Sequence, residues 1–107
     1  MSLHLQRDLD ALKKEILQLG NLVEQAIDMA IGALVNRDAR LAREATSFEE
    51  TIDRKEVAIE VECLKILALH QPVAVDLRFI VVVLKVNNDL ERMGDIACNI
   101  AGRAAFI

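Results

Sequence analysis

The sequence predicts an all-α protein, folded as an antiparallel up-down-up bundle of three long helices. Three observations carry that expectation. Apolar residues recur at alternating steps of three and four through three long stretches, which lines one face of a helix. One Pro and four Gly in 107 residues are too few turn formers for a chain of short strands. Aromatic residues make up only 3%, with no Trp or Tyr, while the abundant Ala, Leu, Glu, Lys and Arg favour helix.

The first helix is expected over about residues 3–35. Leu5, Leu9, Leu12, Ile16, Leu19, Val23, Ala26, Ala30 and Ala33 form an unbroken seam along it. The pattern stops near Asn36-Arg37. Asp38 then suits an N-cap, because its carboxylate accepts from the free amides of a new first turn.

The second helix is expected over about 38–70, with the seam Leu41, Ala45, Phe48, Ile52, Ile59, Cys63 and Ile66. The step between Ile52 and Ile59 falls on Lys55 or Glu56. The helix should end near His70-Gln71, since Pro72 disfavours helix in the residue before it. The third helix is expected over about 72–106. Pro72 suits its first turn, where a missing amide costs nothing, and Asp76 favours its positive end. Its main seam is Phe79, Val83, Val86, Leu90, Met93, Ala97, Ile100 and Ala104. Gly94 and Gly102 lie along it and allow a second helix to come close. Both connections are short, so sequential helices run antiparallel. Each helix spans roughly 45 Å at about 1.5 Å per residue. Residues 1–107 read as a single domain.

Composition excludes several classes. With 53% hydrophobic and 28% charged residues the chain is not disordered. The net charge is −4 and no basic cluster is interleaved with aromatics, which disfavours nucleic-acid binding. The longest apolar run, Phe79-Ile80-Val81-Val82-Val83-Leu84, is far short of the roughly 20 residues a membrane span needs. No direct membrane insertion is expected. The first residues carry neither a signal-peptide core nor a basic leader. Cys63 and Cys98 sit in apolar helical patterns, as two buried thiols of a cytosolic protein would.

Six carboxylates stand on flanks where apolar residues are due. Glu91 and Asp95 interrupt a second apolar sector of the third helix formed by Val73, Leu77, Ile80, Leu84, Cys98 and Gly102. Glu49, Asp53, Glu56 and Glu60 fall among Ala42, Val57, Leu64 and Leu67 on a flank of the second. In each Glu-x-x-x-Asp pair, Glu49/Asp53 and Glu91/Asp95, the spacing of four puts both groups on one face. Folding the hairpin about Gln71 sets position 49 opposite 93 and position 53 opposite 89, so the two pairs share a level. Such crowding needs protons, basic partners or cations. Hard cations such as Mg²⁺, Mn²⁺, Ca²⁺ or iron take all-oxygen sites of this kind. Di-metal carboxylate bundles use the same geometry but add Glu-x-x-His, absent here. The competing reading is an ordinary solvated acidic face. A joint metal site of His4 and His70 and a thiolate pair of Cys63 and Cys98 are weaker candidates. No nucleophile-base pair and no Gly-rich phosphate loop is present, so an enzymatic function has no support in the sequence.

Three motifs carry a family resemblance. They are Asp89-Leu90-Glu91-Arg92-Met93-Gly94-Asp95-Ile96-Ala97-Cys98-Asn99-Ile100, Gln71-Pro72-Val73-Ala74-Val75-Asp76-Leu77-Arg78, and Ile52-Asp53-Arg54-Lys55-Glu56-Val57-Ala58-Ile59-Glu60. With them the whole chain resembles one repeat of the PhoU family of phosphate-signalling proteins. The resemblance implies a three-helix repeat that typical members carry twice. It implies divalent or trivalent metal ions on Glu/Asp-x-x-x-Asp motifs, in some members a multinuclear iron or zinc cluster. Those motifs map onto Glu49, Asp53, Glu91 and Asp95, with Glu56 and Asn99 as weaker ligands. It further implies a regulatory adaptor that restrains phosphate uptake and phosphate-starvation signalling. The implied partners are a phosphate-sensing histidine kinase and the ATPase of a phosphate ABC transporter. Such a protein is cytoplasmic, held near the inner face of the membrane through its partners. Alternatives are a PhoU-like domain of a sodium-phosphate cotransporter and a metal-free structural dimerisation bundle. A single repeat leaves apolar flanks uncovered, so a homodimer imitating the two-repeat arrangement is expected.

Overall fold

The computed structural model describes residues 3–106, and all secondary structure in them is helical. Helix α1 covers Leu3–Asn36, α2 Ala39–Thr46, α3 Phe48–His70 and α4 Ala74–Ala104. α2 and α3 together form the descending arm of an up-down-up bundle. The molecule measures 54 × 18 × 17 Å. Its length is set by α1, whose 34 residues span about 51 Å at helical rise.

The seam of α1 lies in the core as expected. Leu5, Leu9, Leu12, Leu19, Val23, Ala26, Ala30 and Ala33 are buried, and Ile16 packs against them. The helix ends with Arg37 in the left-handed region, φ 52°. The Asp38 amide then donates back to the Ala33 carbonyl at 2.9 Å, which closes a Schellman motif. Asp38 also opens α2, its Oδ1 accepting from the Leu41 amide at 3.1 Å.

The expected continuous helix over 38–70 is jointed at Thr46-Ser47. The Ser47 amide is shared between the Arg43 and Glu44 carbonyls. The Thr46 and Ser47 hydroxyls donate to those same two carbonyls, at 2.8 and 2.6 Å. Adjacent hydroxyls bonding back into the preceding turn loosen the ladder there. Beyond the joint Ile52, Ile59, Cys63 and Ile66 are buried. Lys55 fills the gap in the seam by reaching α1, 3.3 Å from Glu15 and 2.5 Å from Gln18.

Pro72 does not begin the third long helix. Gln71 adopts the left-handed region, φ 45°, after α3 ends at His70, and α4 starts only at Ala74. Pro72 keeps the residue before it out of right-handed helix, and its own ring is buried in the connection.

The core face of α4 lies between the two sectors read from the sequence. Ile80, Val83, Asn87, Gly94, Ala97, Cys98, Ala101 and Ala104 are buried, whereas Val86 and Met93 are 39% and 44% exposed. Small residues let α4 settle against its neighbours and turn its larger side chains to the flanks. Ile27 and Ala30 of α1 and Met93, Ile96, Ala97 and Ile100 of α4 line an apolar groove of about 230 Å³. Lys13 lies over the Phe79 ring, 5.4 Å from its centroid.

Among the described residues one polar side chain is in the core. Asn87, 2% exposed, donates from Nδ2 to the Glu56 carbonyl at 2.9 Å. Its Oδ1 is buried without a partner, which costs about 1–3 kcal/mol.

Candidate metal centre

The carboxylates meet across the α3–α4 hairpin. Asp53 stands on α3, less than two turns past the joint. Glu91 and Asp95 stand one turn apart on α4. Oxygens of these three groups lie within 4.8 Å of one another. Asp53 is exposed, while Glu91 and Asp95 are half-buried.

The setting comes from the residues behind them. Gly94, between Glu91 and Asp95, has no side chain to hold the helices apart. A Cβ there would stand 3.1 Å from Ile52 Cγ2, so α4 rests directly on α3 beside Asp53. Each end of the cluster is bracketed by a contact from α4 to a main-chain carbonyl. Asn87 reaches Glu56 on one side. The Cys98 thiol points at the Ala45 carbonyl, 3.9 Å away, on the other.

The electrostatics are those of crowded like charges. Burial, a hydrogen bond to Asp95, and the charges of Asp95, Asp53 and Glu56 all push the Glu91 carboxyl above its usual range. Burial, with Glu60 and Asp53 nearby, pushes up Glu56. Burial and then Glu49, Asp95 and Asp53 raise the Cys98 thiol. Among the described residues no Lys, Arg or His forms an ion pair with Asp53, Glu91 or Asp95. Arg54 and Arg92 are exposed.

The donors are all carboxylate oxygens, the set that suits Mg²⁺, Mn²⁺, Ca²⁺ or iron. Three carboxylates offer up to six oxygens to one ion. They would hold a hard cation, with water completing its shell. Glu49 is not in the triplet. It lies in the first turn of α3 and is exposed, and its charge helps raise the Cys98 thiol. Glu56 is half-buried beside Glu91, and Asn99 is exposed outside the group.

The other candidates separate. His70 pairs with Asp8, Nε2 to Oδ2 at 2.8 Å, while His4 is exposed. Cys63 and Cys98 are both buried and free. Asn87 does not stand out in the sequence. Its spacing of four from Val83 and three from Leu90 marks it as a core position, but its polarity hid it.

Comparisons with known proteins cover most of the chain. The PhoU domain model matches residues 16–104. The phosphate-specific transport system accessory protein PhoU homolog of Aquifex aeolicus is 44% identical over 101 residues, covering 94% of this chain and 46% of that protein. The Escherichia coli K12 phosphate-specific transport system accessory protein PhoU is 36% identical over 97 residues, covering 91% of this chain and 40% of that one. The crystal structure of PhoU from Pseudomonas aeruginosa superposes with a TM-score of 0.92 at 38% identity, covering 94% of this chain and 48% of that one. The chain therefore spans about half the length of the relatives it matches. An all-α bundle of this topology, matched over nearly all of its length, belongs to the PhoU family.

Proposed function

We propose that this chain is a metal-binding regulatory module of phosphate uptake and phosphate-starvation signalling, acting by binding rather than by catalysis. The relatives are named as accessory proteins of a phosphate-specific transport system. The observation that carries the metal part is the triplet Asp53, Glu91 and Asp95, whose oxygens lie within 4.8 Å of one another and form no ion pair with a Lys, Arg or His among the described residues. A cation there ties α3 to α4 and relieves their repulsion. Glu49 joins as a fourth ligand if a second ion is held, as a multinuclear iron or zinc cluster requires. The chemistry of the donors favours iron or manganese over a tetrahedral zinc. The proposed partners are the histidine kinase and the transporter ATPase of the phosphate system, met at the inner face of the membrane. No helix among the described residues is long and apolar enough to cross one.

Metal analysis of the purified protein tests this directly. Iron, manganese or zinc is expected in the protein as isolated, and added Mn²⁺ raises the thermal midpoint. Glu91→Ala with Asp95→Ala abolishes that rise. If no metal is found and none stabilises the protein, the metal reading fails.

A second reading, a metal-free packing module, draws on the exposed apolar side chains Val57, Leu64, Val73, Val81, Val82 and Ile96. Both readings pair the chain with a second three-helix unit, here a second copy. A stable monomer by sedimentation at micromolar concentration would remove the dimer from both.

A further inference from the structure

We propose that Asn87 is a positioning residue: it sets the axial and rotational register of α4 on α3 that brings Glu91 and Asp95 to Asp53. The affinity arm of its test rests on the metal reading above; the register arm does not.

Three observations converge on it. Asn87 sits at the centre of the buried face of α4, in line with Val83, Gly94 and Ala97. Its Nδ2 donates to the Glu56 carbonyl, three residues along α3 from Asp53, and Asn87 itself precedes Glu91 by one turn. Its Oδ1 is buried and unpaired. A half-satisfied amide in an apolar core is a net cost, which an aliphatic residue of similar shape would avoid. What the amide supplies instead is direction. Sliding α4 by a turn, or rotating it, leaves both ends of the amide buried without partners, whereas apolar contacts tolerate such shifts. A lone buried Asn fixes register between paired helices in this way.

The setting needs such a device. The α3–α4 connection holds the hairpin at the Gln71 end, many residues from the carboxylates. Near the carboxylates the other α4 contacts are forgiving. Gly94 offers a flat surface to Ile52, and Cys98 makes one long thiol contact to the Ala45 carbonyl. Neither is directional enough to choose among nearby settings. Repulsion among Asp53, Glu91 and Asp95 also pushes the metal-free helices away from the arrangement that aligns them.

The test uses Asn87→Leu, with Asn87→Ala as a second variant should Leu overpack the core. Two readouts are compared with wild type. In metal-free protein, NOEs between the Gly94 Hα and the Ile52 methyls report the register. Titration with Mn²⁺ reports the site. Both variants are expected to weaken or split the Gly94–Ile52 NOEs and to bind Mn²⁺ at least tenfold more weakly, while the thermal midpoint of the metal-free Leu variant does not fall. NOEs retained at wild-type intensity overturn the proposal, whatever the affinity does, because the register then stands without Asn87. If wild type binds no Mn²⁺, the metal reading fails by itself and the NOEs still decide the role of Asn87.

Discussion

His70 Nε2 lies 2.8 Å from Asp8 Oδ2, so the last residue of α3 is hydrogen-bonded to the second turn of α1. The His70 side chain is only 11% exposed, and the pair closes one end of the bundle. Asp8→Ala leaves a largely buried imidazole without its partner, at an expected loss of about 1–2 kcal/mol. Urea denaturation of the two single variants and the double variant checks it. A coupling energy near zero would show that the two side chains contribute independently.

The two helical glycines of α4 should respond oppositely to Ala. At Gly94 the added Cβ meets Ile52 at 3.1 Å, with an expected cost of about 1–3 kcal/mol. At Gly102 nothing lies within 4 Å of the added atom, and the better helix former should stabilise by about 0.5–1 kcal/mol. Thermal midpoints of G94A and G102A moving in the same direction would contradict the packing described for α4.

These glycines also show what can be read from sequence and what cannot. The seam of α1 is legible because its core positions are held by large apolar residues from Leu5 to Val23, among mostly polar neighbours; after that they are Ala, set among Ile31, Leu34 and Val35 that stay exposed. The core face of α4 is harder to read. Its centre is built of Asn87, Gly94, Ala97 and Ala101, small or polar residues that carry little hydrophobic signal, while Met93 and Val86 stand on the flank and carry much. The level of the carboxylates follows from helical spacing and a short hairpin. Which oxygens meet depends on how each helix is rotated and on the Ser47 joint just before Glu49. Neither is written in the spacing.

The raised Glu91 carboxyl makes a signed pH prediction. Its value in the folded protein lies above the ordinary 4.5, chiefly through burial and then through Asp95. Just above pH 4.5 the folded chain therefore holds more of this proton than the unfolded chain does. Stability from this group is present at low pH and is lost as pH rises through the raised value. Glu91→Gln removes that contribution. In metal-free protein it should gain stability relative to wild type as pH rises from the ordinary carboxylate range through the raised value, read from urea midpoints. A constant difference across that rise would refute the assignment.

Burial, reinforced by Glu62 and Glu60, pushes the Cys63 thiol up to about 11. At neutral pH it is protonated and enclosed, and Cys98 is raised in the same direction. Both should react with a disulfide reagent far more slowly in the native protein than in denaturant, since the thiolate is the nucleophile. Immediate reaction of either thiol in native buffer would show that the core opens at that residue.

A rod unbroken from Ala39 to His70 would act as a lever, carrying any tilt at the α1–α2 corner straight to Asp53. At Thr46-Ser47 that rod is instead divided, two hydroxyls taking up carbonyls of the last turn of α2. α2 is anchored on its own account, its Ala42 packed with Ala33 and Ala104. Asp53 stands beyond that division, on α3, where it meets Glu91 and Asp95 of α4.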